Sequence, residues 1–190
     1  MIISLRARAV PGSACAVGIN GWSLKSAGDS ALGVALTGRA TILLARATGP
    51  ADLARVAVDA CIGEAGRPVD MLTAARARLA KEGRILDGVS VQLAAVVLTP
   101  ERTGVIAVSG ALPVYLISDG YAARVDPDVA ASNRIAIREL VLTSRQQLLL
   151  ADEPLEDQGI QLDWQPSAGG NAVEALVDQA AGFVVGVSVS

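Results

Sequence analysis

VSVQLAAVVLTPERTGVIAVSGALPVYLISDGYAARV, residues 89–125, is a chain of short apolar segments cut by turn residues. A strand with one wet face alternates apolar and polar side chains, whereas "AAVVL" (94–98) is apolar at every position and needs cover on both faces. Pro100 to Gly104 and Asp119-Gly120-Tyr121 have turn chemistry, with a glycine available where the backbone must reverse. The stretch therefore reads as a meander of antiparallel hairpins buried between two layers.

The sequence on either side supplies those layers. Residues 53–61 carry Leu53, Val56, Ala57, Ala60 and Cys61 at three- and four-residue spacing, and Gly66 stops this helix. A second helix starts near Pro68, where a proline suits the first turn. It buries Met71, Leu72, Ala75 and Leu79 and leaves Arg76, Arg78, Lys81 and Glu82 to solvent. Upstream, "IISLRARAV", "ACAVGINGWSL" and "LGVALTGRATILLA" read as strands, the last with a hairpin signal at Thr37-Gly38-Arg39. Downstream come the strands "IAIRELVL" and "QLLLA", a short helix "NAVEALVDQ" with Asn171 as candidate N-cap, and a final strand "GFVVGVSVS". Strands, a helix pair, many antiparallel strands, a helix and a strand fit two sheets packed face to face with helices outside. The length of 190 residues suits one domain, spanning residues 1–190.

Composition narrows the function. The chain is 52% hydrophobic and 3% aromatic, so the core is built from Val, Leu, Ile and Ala. A net charge of −3, with no basic run longer than a pair, argues against a nucleic-acid surface, and five aromatic residues make a poor stacking platform for single strands. The chain has no histidine, which excludes His-based zinc sites and Ser-His-Asp or Cys-His catalysis within it. Cys15 and Cys61 lack ligand spacing and read as thiols in a reducing compartment. No window has the length of a membrane span, and the first residues lack a signal-length apolar core. The expectation is a cytoplasmic protein without membrane contact.

One acidic stretch stands out. "LLLADEPLEDQG" (148–159) ends a triple-Leu strand in four carboxylates, Asp152, Glu153, Glu156 and Asp157. Taken alone it reads as the solvated start of a helix, since carboxylates and Pro154 suit a first turn. Asp29 alone reads as a turn residue, and Ser109-Gly110 as a turn with no base to activate the serine.

Several motifs together resemble the metal-dependent protein phosphatases (phosphatase 2C-like), in particular the small bacterial branch related to sporulation stage II E and stress-response regulators. They are Gly88-Val89-Ser90, Ser109-Gly110-Ala111-Leu112-Pro113, Tyr115-Leu116-Ile117-Ser118-Asp119-Gly120, Leu148 to Leu155, Asp178 to Phe183, and "AGDS" at Ala27 to Ser30. The resemblance implies a four-layer αββα sandwich of two mainly antiparallel sheets, whose cleft holds two Mg²⁺ or Mn²⁺ ions through aspartates. A metal-bound water there attacks phosphoserine or phosphothreonine. Asp29 and Asp178 match two of the family's ligand aspartates. The "Thr-Asp-Gly" aspartate becomes Glu153, or Asp152 if the alignment slips by one. The metal-bridging aspartate becomes Arg46.

An arginine in place of a shared carboxylate changes the local charge by two units and cannot deprotonate to admit a cation. Two like charges about 4 Å apart repel by about 4 kcal/mol at an effective dielectric of 20. The resemblance thus implies a degenerate site, with Asp29, Glu153 and Asp178 as vestigial metal ligands and Arg46 as their counter-charge, paired with Asp29 and Asp178. The expected function is a regulatory or scaffold pseudophosphatase in bacterial signalling, with another protein as partner, no catalytic residue and no cofactor. The alternative is an active Mn- or Mg-dependent serine/threonine phosphatase using Asp29, Glu153 or Asp152, and Asp178.

Overall fold

Strands β1 (Ile2–Ala7), β2 (Ala14–Ile19), β3 (Trp22–Lys25), β4 (Ser30–Ala35) and β5 (Ala40–Thr48) come first, followed by helices α1 (Leu53–Ile62) and α2 (Pro68–Lys81). Then come β6 (Ser90–Leu98), β7 (Thr103–Ser109), β8 (Val114–Ser118), β9 (Tyr121–Arg124), β10 (Ala136–Val141) and β11 (Gln147–Ala151), and finally α3 (Ala172–Gln179) and β12 (Val184–Ser188). This computed structural model describes residues 2–7, 14–20, 22–25, 30–35, 38–50, 52–62, 64, 66–84, 90–118, 120–127, 134–162, 172–179, 182 and 184–188.

The strands form two six-stranded sheets. The first runs β4-β1-β12-β11-β8-β9 and the second β10-β7-β6-β5-β2-β3, and every pairing described is antiparallel. Alternation sets the layers. In β5, Ile42 and Leu44 point at the other sheet and share a core with its Val114, Leu148, Leu150 and Val185, and with Val96 and Ile106 of their own sheet. Leu43, Ala45 and Ala47, one residue out of phase, point at α1 and α2 and meet Leu53, Ala57, Leu72 and Leu79. A third cluster, with Tyr115, Leu149, Val173 and Leu176, lies beneath α3 on the outer face of the first sheet. The continuous apolar runs exist because these strands are covered on both sides. The αββα sandwich expected from the sequence is the architecture found.

Two local expectations are corrected. The reversal at Gly38, which has φ +84, is not a hairpin, because β4 ends in the first sheet and β5 starts in the second. Both edges of β5 are taken, by β2 and β6, so β4 has no place beside it. The 89–125 stretch is likewise two hairpins in two sheets, β6–β7 and β8–β9, rather than one meander. Its crossing lies at Ser109–Pro113, where Gly110 has φ +94 and Pro113 has no N–H to continue a ladder. α1 and α2 pack against each other and bury the stripes expected of them, except that Val56 is only half-buried, and Ala54 and Val58 join the buried face of α1. Among the described residues no helix is long and apolar enough to cross a membrane.

Candidate functional site

Two rows of side chains run through the inter-sheet layer and end in charge at the same end of the sandwich. On β5 the row Ala40, Ile42, Leu44 continues to Arg46. The registers place Cys15 of β2 on one side of Arg46 and Gln92 of β6 on the other, so the arginine sits in the middle of its sheet. On β11 the row Leu148, Leu150 continues to Asp152, which is only 1% exposed.

Arg46 joins the two sheets. Its Nη1 donates to the backbone carbonyl of Asp152 at 3.0 Å, and its Nη2 donates to Glu153 Oε1 at 2.6 Å. The two side chains of this pair are 25% and 34% exposed, so water reaches one edge of it. The Cys15 thiol lies 3.7 Å from Asp152 Oδ2. The planar fork of a guanidinium satisfies a carbonyl and a carboxylate at once, which an ammonium on a flexible stem does less well.

The acidic stretch proves to be four carboxylates with separate surroundings. Asp152 is buried, Glu153 pairs with Arg46, Glu156 accepts the Tyr115 hydroxyl at 2.7 Å, and Asp157 is exposed. No helix starts at Pro154, contrary to the sequence reading of this stretch. Residues 155–159 are turns because Tyr115 reaches out of β8 and pins them, its hydroxyl oxygen accepting the Leu155 N–H at 3.0 Å. Burial, and then the neighbouring Glu156 carboxylate, push the Tyr115 phenol well above its ordinary pKa. Gln158 adds a second tie, donating to the Glu153 carbonyl at 3.1 Å and accepting the Gly182 N–H at 3.2 Å.

Gly182 completes the wall behind Asp152. A Cβ built there would fall against Asp152 Oδ1. Gly182→Ala must displace either the backbone or a buried carboxylate, and overpacking of this kind costs about 1–3 kcal/mol. Urea denaturation measures this, and unchanged stability would show that the Asp152 carboxylate does not occupy this position.

Of the sequence-derived candidates, Arg46 and Glu153 come together directly. Asp178 lies in the last turn of α3, ahead of β12, and Asp29 lies outside the described residues. The sequence reading paired Arg46 with Asp29 and Asp178; the partners described for it are Glu153 and the Asp152 carbonyl. The sequence reading named Cys15 as a thiol and Tyr115 and Gly182 within motifs, but placed none of them, nor Gln92, at this site. The signal for Tyr115 was present, since a tyrosine in a doubly covered strand needs a partner for its hydroxyl.

A hard cation needs carboxylate oxygens free to face it, and Oε1 of Glu153 is already bound to a guanidinium. Among the described residues no three of His, Cys, Asp and Glu gather as a metal site. What the arrangement does provide is a charge-balanced tie between sheets.

No family model matches the sequence, and no curated protein does. Solved structures do match. A serine/threonine phosphatase of S. agalactiae covers all of this chain and is itself fully covered, with TM-score 0.67 and 12% identity. Its fold is that of the phosphatase 2C-like proteins. RsbX, solved in complex with magnesium, matches 98% of this chain over 94% of its own, with TM-score 0.57 and 10% identity. A stage II sporulation E family protein from Thermanaerovibrio acidaminovorans matches 74% of this chain over 87% of its own, with TM-score 0.51 and 18% identity. At such identities the likeness is one of phosphatase 2C-like architecture, and the site must be argued from its own residues.

Proposed function

We propose that this chain is a pseudophosphatase: a phosphatase 2C-like domain, spanning residues 1–190, that has lost the full binuclear metal centre and acts by binding a protein partner in cytoplasmic bacterial signalling. The observation that carries this reading is the 2.6 Å contact between Arg46 Nη2 and Glu153 Oε1. It puts a permanent cation on the carboxylate that the family resemblance assigns to a metal. Asp29, Glu153 and Asp178 are on this view remnants of a ligand set, and Arg46 is its built-in replacement. The Arg46 tie holds the ends of β5 and β11 together without a metal, so the domain keeps a shaped surface while losing hydrolysis.

The test is Mn²⁺-dependent hydrolysis of an aryl phosphate, together with a calorimetric Mn²⁺ titration of the wild-type chain. The expected outcome is neither turnover above the metal-free background nor binding tighter than millimolar. Turnover that requires Mn²⁺ and is abolished by Asp178→Ala would overturn the proposal in favour of an active serine/threonine phosphatase.

A further inference from the structure

Among the described residues, strand β10 is the outermost strand of the second sheet and pairs through one edge, with β7. Ile135 packs against the helix-side core and Leu140 against the inter-sheet core, so Ile137, Glu139 and Val141 form a single row on the outer face. Ile137 is 51% exposed and Val141 is 73% exposed, although both are large and apolar. Beside them lies an open groove of about 380 Å³, lined by Val97, Thr99, Thr103, Val105, Glu139 and Val141. An exposed edge with unpaired backbone groups is a template for another strand, and proteins ordinarily blunt it with charge. Here the charges are Arg138 and Glu139 on opposite faces, with apolar side chains on both sides of Glu139.

We infer that β10 accepts an added antiparallel strand from a partner protein, and that this strand places a basic residue opposite Glu139 between two apolar residues opposite Ile137 and Val141. An acidic residue opposite Arg138 completes the match. A second copy of this chain fits less well. Two antiparallel edges joined in one sheet must keep their outer faces on the same side, so residues of like parity meet. The centred registers then set Glu139 against Glu139 of the other copy, or Arg138 against its equivalent, and directly opposed like charges destabilise a strand pair. A basic residue from a different protein removes that repulsion and leaves the two apolar pairs intact. This surface is separate from the Arg46 site, so either reading can fail without the other.

The probe is the peptide acetyl-Thr-Val-Thr-Lys-Glu-Val-Thr-amide, titrated into the isotope-labelled full chain and followed by backbone amide NMR. Saturable shifts are expected along β10 and its neighbour β7. Glu139→Lys should weaken binding about fivefold, and a peptide with Glu in place of its Lys should reverse the preference, binding this variant about fivefold better than the wild type. Glu139 is exposed, so the variant folds, and the reversed preference excludes a general loss of structure. The inference is overturned if millimolar peptide leaves β10 unshifted, or if Glu139→Lys changes neither affinity. It is also overturned if sedimentation finds a dimer whose β10 amides are already protected, which would make a second copy the occupant.

Discussion

Arg46→Asp is expected to lower stability in chelator by about 3 kcal/mol and to make the melting temperature respond to Mn²⁺, with no such response expected of the wild-type chain. The loss has two sources. Removing one partner of a buried ion pair costs about 3–5 kcal/mol, and the lower end applies because this pair is 25% and 34% exposed. The new carboxylate also faces Glu153 and the buried Asp152 with no cation between them. For a chain of this size 3 kcal/mol corresponds to roughly 10 °C. Divalent cations can return part of it. An aspartate ends well short of where the guanidinium reached, leaving a gap into which an ion with oxygen ligands at about 2.1 Å can enter. At a Mn²⁺ concentration 100 times its dissociation constant, binding to the folded state adds about 2.7 kcal/mol. Arg46→Ala is the control: it removes the tie without supplying a ligand, and should lose stability with no response to metal. If Arg46→Asp melts at the same temperature in chelator and in Mn²⁺, this end of the sandwich is not a latent cation site. If the wild type gains stability from Mn²⁺, Arg46 does not stand in for one.

Arg46 was singled out in the sequence through the family resemblance, which sets it where a ligand aspartate would stand. Its partner was not visible, because pairing across two sheets depends on which sheet each strand joins. The same gap explains the corrected turns. The glycines at 38 and 110 were legible as reversals, but a sheet crossing and a hairpin use the same local chemistry, and only the occupied edges of β5 tell them apart. The helix pair was legible because its stripes face one neighbour. Met71, Leu72, Ala75 and Leu79 are buried as their spacing requires, and so is Cys61. The four-carboxylate stretch misled because acidic residues before a proline mark a helix start by propensity, and the tertiary demand of one buried tyrosine hydroxyl overrides that preference.

Cys61 should give the chain a steep alkaline limb of instability beginning near pH 9. Its side chain is fully buried on α1 between the helices and the second sheet, and the thiol points to the Met71 carbonyl at 3.4 Å. Burial pushes the thiol from 9.0 up to about 12. The raised value fixes the sign. Below pH 9 the thiol is protonated in both states and stability is intact. Between pH 9 and about 12 the unfolded chain gives up this proton while the folded chain keeps it. The unfolded state then binds fewer protons, so the free energy of unfolding falls as pH rises, by about 1.4 kcal/mol per unit within that window. Two units of it remove about 3 kcal/mol, a large share of the 5–15 kcal/mol typical of a folded domain. The Tyr115 phenol, raised in the same direction, adds to the slope above about pH 10. Cys61→Ala separates the two: it costs some packing at neutral pH but should flatten the limb between pH 9 and 10, where the tyrosine of the unfolded chain is still largely protonated. Urea midpoints measured at half-unit intervals from pH 7 to 11 read this directly. Parallel slopes for wild type and Cys61→Ala would mean that the thiol ionises as readily in the folded chain as in the unfolded one, so that α1 does not seal it from water.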